Sequence, residues 1–266
     1  MENIARKIRI KALEMQHNAG KGHLGGALSS AEIVTCLYCS GIVNISPKNR
    51  KSPSRDRVIF SKGHACFSLY AALAIQGFFS EKELDTYGKN GSILGGHPDH
   101  FIPGVEVSTG SLGHGLGIGA GMALSGKINK QNYSVYVLLG DGECTEGSIW
   151  EAAAFSSAQK LTNLIAIVDN NGVAATDATN SFTGHVQMEE KWKSFGWDTL
   201  SVNGHDIPQI IAALKKTKKR TASSKPLAII AHTVKGRGVS FMEGDPHWHH
   251  GVANDAQYQE ALKELA

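Results

Sequence analysis

Asp141 stands between two glycines, and Asn171 follows about thirty residues later. Together they offer a carboxylate and an amide carbonyl, both hard oxygen donors. Two such groups suit Mg²⁺, which takes few protein ligands and completes its octahedron with phosphate oxygens and water. Gly140 and Gly142 let the backbone turn sharply and let a bulky anion approach. Backbone N–H groups near Gly142 could donate to the same phosphate. A second chemistry lies in the histidines. His23 sits in a glycine-rich loop, His64 at a strand-to-helix junction, and His97 between Gly96 and Pro98. Imidazoles exchange protons near neutral pH, and several gathered on loops at one sheet edge fit a polyhydroxylated substrate.

These residues need elements to hold them. Ser134 to Leu139 is a short apolar run suited to a strand buried on both faces. Gly140-Asp141-Gly142 breaks it, Gly147 to Lys160 reads as a helix, and Leu164 to Val168 reads as a second buried strand. Two strands joined by a helix form a right-handed parallel unit. That places Asp141 and Asn171 at the carboxyl edge, where open α/β sheets bind ligands. Asn3 to His17 and the stretch after Ser30, which would cap it, read as helices. Asn44 to Asp56 reads as a loop, Arg57 to Phe60 as a strand, and the run through Ala72 as a helix. Glu81 to Tyr87 is a short polar helix, and Thr109 to Gly115 opens a small-residue helix that can pack tightly. Ala175 to Gly184 reads as a polar surface loop. Helix Val186 to Phe195, strand Asp198 to Val202, helix Ile207 to Lys216, strand Leu227 to His232 and a last helix, Glu260 to Leu265, follow. The alternation predicts an α/β fold: a doubly wound, mostly parallel sheet with helices on both faces, in one domain spanning 1–266.

Composition agrees with a globular protein. The chain has 266 residues, 41% of them hydrophobic, and 30 glycines for tight turns. A net charge of +3 is too mild to argue for nucleic acid, and the one basic run, Lys215 to Arg220, follows a helical pattern whose dipole favours it. Cys36 and Cys39 have CxxC spacing but lie in an apolar helical pattern, which reads as buried structural thiols. The charged, amphipathic N-terminus lacks the apolar core of a signal peptide, no segment approaches a membrane span, and a cytoplasmic protein is expected. His247, His249 and His250 form a cluster near the end, without the Cys or second His pair that a zinc site calls for.

The Gly-Asp-Gly turn, Glu146, Leu161, Asn163 and the terminal Asn171 together resemble the thiamine-diphosphate motif. From about Arg6 to the C-terminus the chain resembles the diphosphate-binding, N-terminal domain of transketolase. The resemblance implies thiamine diphosphate with Mg²⁺ (Ca²⁺ or Mn²⁺ substituting), held through Asp141, Asn171 and the Val173 carbonyl. It implies cofactor contacts from His64, Gly110, Leu112, Gly140, Gly142 and Glu146, the last near a subunit interface. His23, His64, His97 and His250 would serve substrate and proton transfer; His249 matches relatives reading Trp-His and competes with His250 for that role. The family's pyrimidine-binding domain, which carries the cofactor-activating Glu, has no counterpart before Ala266. One subunit of a split transketolase is therefore expected, with a second chain carrying the pyrimidine-binding and C-terminal domains in an α₂β₂ assembly. The substrates would be sugars or sugar phosphates, with no nucleic acid or membrane partner. Competing readings are a split transketolase of secondary metabolism, a deoxyxylulose-phosphate synthase-like or 2-oxo acid dehydrogenase-like chain, and a non-catalytic scaffold.

Overall fold

The computed structural model describes residues 1–183, 187–221 and 224–266. Its helices are α1 (Glu2–Ala19), α2 (Gly25–Ser29), α3 (Ala31–Cys39), α4 (Cys66–Ile75), α5 (Gly115–Ile128), α6 (Gly147–Ala158), α7 (Asn180–Thr183), α8 (Met188–Ser194), α9 (Ile207–Thr217) and α10 (Asp255–Leu265). Its strands are β1 (Arg57–Phe60), β2 (Val135–Gly140), β3 (Leu164–Asn170), β4 (Asp198–Asn203) and β5 (Leu227–His232). The expected helix start at Val186 and loop end at Gly184 lie outside the described residues.

All four strand pairings are parallel, in the order β1-β2-β3-β5-β4. Every strand therefore ends at one edge. Alternate side chains point to opposite faces because the strand period is two. Val58, Phe60, Tyr136, Leu138, Ile165 and Ile167 pack with α1, α3, α4 and α9. Ile59, Val135, Val137, Leu139, Ala166 and Val168 pack with α5 and α6. The sheet is thus doubly wound, with helices on both faces. Close packing of α5 depends on a missing side chain: a Cβ at Gly119 would lie 2.6 Å from Val137 Cγ2. Asp206 caps α9 by accepting from Gln209 N at 3.0 Å, and Asn254 with Gln257 forms a capping box on α10.

Several local expectations are corrected. Ser30 does not cap α3. Gly25–Ser29 is already helical, so the Ser30 hydroxyl donates back to Gly26 O at 2.9 Å and lies 3.2 Å from Ser68 Oγ. The stretch from Glu81 is a 3₁₀ helix ending at Thr86. The loop after Asn171 is not wholly at the surface, because Thr179 is buried against the site. The basic run is partly structural: Lys218 pairs with Asp56, and Arg220 pairs with Asp198 at 3.2 Å. Cys36 is buried, Cys39 half-buried, and both thiols are free.

Candidate functional site

The loops at the carboxyl edge enclose a cleft of about 380 Å³, within the size range of small-molecule sites. Asp141 enters it from the end of β2. Its Oδ2 accepts from Gly172 N and from Thr179 Oγ1, each at 2.8 Å. Burial and the neighbouring Asp169 raise its pKa, against the hydrogen bonds from Thr179 and Gly172. A positive partner would relieve that strain on the charged form. Asn171 and Val173 line the same cleft from the loop after β3. Asn171 Oδ1 accepts from Val173 N at 3.1 Å, and its Nδ2 donates to Asp169 Oδ2 at 3.4 Å.

Lys235, from the loop after β5, is the cation that faces these oxygens. Its Nζ donates to Val173 O at 3.1 Å, to Ala174 O at 2.7 Å and to His249 Nδ1 at 2.7 Å. Burial and the charge of Lys62 lower its pKa to about 8, while Asp141 and Asp169 work the other way. Lys62 is itself committed to Asp169, which also accepts from Ser29 Oγ at 2.6 Å and from Thr233. Burial works to raise the Asp169 pKa, but Lys62 and these hydroxyls hold it below the ordinary value. Asp169 thereby ties the ends of β1, β3 and β5 to α2, the helix that follows the glycine-rich loop of His23.

Glu143 performs a similar service on the other wall. Its carboxylate accepts from Ser61 Oγ, from Gly113 N at 3.0 Å and from Gly140 N at 3.1 Å. One buried acid thus joins the end of β1, the Thr109–Gly113 turn and the Gly-Asp-Gly turn. Gly110 in that turn has φ +140, and a Cβ there would lie 2.7 Å from His97 Cδ2. Only glycine admits both the conformation and the imidazole.

Four of the imidazoles lie close together, and the two adjacent candidates, His249 and His250, differ in burial. His23 lies 5.4 Å from His64 and 6.4 Å from His97, centroid to centroid. His249 lies 5.1 Å from His23 and 5.3 Å from His64 and is buried. His250, which shares with His249 the candidacy for the substrate-side role, is exposed, 4.4 Å from His23. His249 lines the cleft, whereas the exposed His250 lies outside that lining, against His23 and His249. Burial first, then the neighbouring positive groups, lowers the pKa of His23 to about 4, of His64 to about 2 and of His249 to about 3. These three rings are neutral at physiological pH. His100 and His114 are exposed and stand apart, bonded to Ser108 and to the Leu112 carbonyl. Glu146 is exposed and lines the cleft, as do Leu112 and Gly142.

Sequence reasoning missed Lys235, Lys62, Asp169, Glu143 and Thr179. The signals were faint: a lysine beside a glycine just past a buried strand, and acids adjoining the two motif residues.

A cleft at the carboxyl edge of a parallel sheet, lined by hard oxygens, an ammonium and neutral imidazoles, defines an α/β domain for an anionic, polyhydroxylated ligand. The chain matches the family "Transketolase, thiamine diphosphate binding domain" over residues 1–265, and it belongs to that family. It is 43% identical over its whole length to a subunit of the apulose-4-phosphate transketolase of Phocaeicola vulgatus, covering 94% of that protein. It is 38% identical to the SqwG subunit of the 6-deoxy-6-sulfo-D-fructose transketolase of a Clostridium species, covering 96% of it. Human transketolase is 39% identical over 94% of the chain, which spans 39% of that longer protein. The transketolase structure from Campylobacter jejuni superposes with a TM-score of 0.90 at 29% identity, over 99% of the chain and 43% of that structure. The chain is a transketolase-type transferase subunit of a family that binds thiamine diphosphate. Among the described residues, no helix is long and apolar enough to cross a membrane.

Proposed function

We propose that residues 1–266 act as the diphosphate-binding domain of a split transketolase. It transfers a two-carbon ketol unit from a ketose phosphate to an aldehyde or aldose phosphate. The observation that carries this is the convergence of Asp141, Asn171, Val173 and Lys235 with His23, His64 and His249 on one cleft, with His97 behind them, 6.4 Å from His23. The residues present fit the cofactor. The Val173 and Ala174 carbonyls already converge on a positive charge, and the Asp141 carboxylate is buried beside them. Asp141, Asn171 and the Val173 carbonyl would hold Mg²⁺, or Ca²⁺ or Mn²⁺ in its place. Lys235 and the turn at Gly140–Gly142 would neutralise and cradle the diphosphate, with Gly110, Leu112 and Glu146 along the wall.

When bound, thiamine diphosphate supplies a carbanion that adds to a carbonyl and stabilises the ketol fragment. This chain's own residues orient and protonate. Neutral His64 and His249 donate to or accept from substrate oxygens without the cost of burying a charge. Neutral His23 lies between them and His97, within reach of the same substrate oxygens. His250, exposed against His23 and His249, meets the sugar on entry.

Two relatives that the chain spans almost completely are named as single subunits of a transketolase, which supports a separate partner. We expect that partner to carry the pyrimidine-binding and C-terminal domains, the activating Glu and the groups that grip the sugar phosphate, in an α₂β₂ assembly. The named substrates of the relatives, apulose 4-phosphate and 6-deoxy-6-sulfo-D-fructose, are both ketoses and mark the donors to assay first. Native mass spectrometry of the chain isolated from its host, with thiamine diphosphate and Mg²⁺, tests the assignment. A stoichiometric second protein and ketol transfer by the pair are expected. A homo-oligomer that transfers ketol units alone would sink it.

A further inference from the structure

The three rings His23, His249 and His250 form a group that the ketol-transfer reading does not require to be so compact. One nitrogen from each lies within 4.8 Å of the other two. Their centroids are 5.1, 4.4 and 4.6 Å apart. The sequence alone argues against zinc here, because His247, His249 and His250 have no second His pair nearby. The fold supplies the missing ligand from the opposite end of the chain, and it leaves His247 out, with its ring against Trp248.

We propose that His23, His249 and His250 form a three-nitrogen site for a borderline divalent cation of the zinc type beside the cleft. Zinc binds imidazole nitrogen at about 2.0–2.1 Å in a tetrahedron, which sets nitrogens about 3.4 Å apart. The rings must close by roughly 1.4 Å at most, and two of them are placed to do so. Among the described residues, neither His23 nor His250 has a hydrogen-bond partner, His250 is exposed, and His23 rises from a glycine-rich loop. His249 has Nδ1 on Lys235 and its other nitrogen free. If coordination moves the imidazole proton to Nδ1, Lys235 gives up that contact and keeps its two carbonyl acceptors. Three protein ligands leave a fourth position open to water or a sugar oxygen, the arrangement of an exchangeable rather than a structural zinc. The donor set is also distinct from the oxygens of Asp141, Asn171 and Val173, so the two cations select different sites by ligand softness.

A cation at this position engages His23 and His249, two of the rings assigned to the sugar, and would compete with the sugar for them. That consequence rests on the proposed function; the binding itself does not. The test is titration calorimetry of the intact chain with Zn²⁺ alone, in the presence of saturating Mg²⁺. Optical spectra after adding Co²⁺ complement it. One Zn²⁺ per chain is expected, retained in Asp141→Asn and weakened roughly tenfold or more in His250→Ala. Co²⁺ should give the intense visible bands of a tetrahedral nitrogen site. Zinc binding that survives His250→Ala unchanged, or vanishes in Asp141→Asn, overturns the proposal. So does a weak octahedral Co²⁺ spectrum, or no zinc binding at all. Failure of ketol transfer with any partner would count against the proposed function and leave these measurements untouched.

Discussion

Lys235 Nζ lies 2.7 Å from His249 Nδ1, so the ammonium of the cleft and one of its neutral imidazoles share a hydrogen bond. Burial first, and then the lysine's charge, keep the histidine uncharged, and burial among positive neighbours brings the lysine's own pKa down to about 8. Raising the pH through that value removes the positive charge that faces the diphosphate. Affinity for thiamine diphosphate should therefore fall as pH rises from about 7 to about 9. Calorimetric titrations across that range should show the slope, and Lys235→Met should bind weakly and flatten it. A slope that persists in Lys235→Met would assign the titration to another group.

Asp141 is buried with two hydrogen bonds to one oxygen and carries a charge that burial penalises. Replacement by Asn keeps the shape and removes the charge. Cation-dependent cofactor affinity should drop by roughly 100-fold or more. The empty protein should melt no lower than wild type, because the buried charge is gone. Equilibrium dialysis with Mg²⁺, paired with thermal melts, separates the two effects. Equal cofactor affinity in both proteins would remove Asp141 from the cation site.

Glu143 accepts from Ser61 Oγ, Gly113 N and Gly140 N, and only 2% of its surface is exposed. Glu143→Ala leaves these donors buried without acceptors, at a cost of roughly 1–3 kcal/mol each when unrelieved by water. A total loss of about 3 kcal/mol or more in urea unfolding is expected. The Thr109–Gly113 turn should loosen as well, giving faster amide exchange at Gly113. A variant with wild-type stability and exchange would show that another group holds the turn.

Acid stability follows from the histidines. His23, His64 and His249 are held neutral in the fold to about 4, 2 and 3, whereas an unfolded histidine protonates near 6.5. Folded values lie below unfolded ones, so the unfolded state binds more protons as pH drops. Stability is complete above about 6.5 and is lost progressively towards pH 4 and below. Thermal melts from pH 7 to about 4 should show this slope, and His64→Asn should reduce it. A wild-type melting temperature independent of pH in this window would contradict the burial argument.

The sheet was legible in the sequence because buried parallel strands are continuous apolar runs closed by turn residues: Gly140-Asp141-Gly142 after Val135–Leu139, and Asp169-Asn170-Asn171 after Leu164–Val168. Asp141 and Asn171 were legible because motif spacing matches a strand-helix-strand unit. Lys235 and Lys62 were not. Each works through a partner from a distant segment, Val173 and His249 for one and Asp169 for the other, and no local pattern encodes such pairing. The sequence likewise left His249 and His250 undecided, because adjacent residues with the same side chain differ only in which way a short 3₁₀ turn aims them; in the fold His249 is buried and His250 exposed.

The strand order has a consequence for synthesis. β5 is made last among the strands yet lies between β3 and β4. Until the ribosome has released it, β4 has no neighbour and β3 shows an open edge. Lys235 and His249 follow β5 in the chain, so the cleft acquires this ammonium and its inner imidazole only after all five strands have been made. A nascent chain halted before Leu227 should be cut readily by protease after β3. It should also recruit holdase chaperones, whereas one extended past Gly251 should resist both.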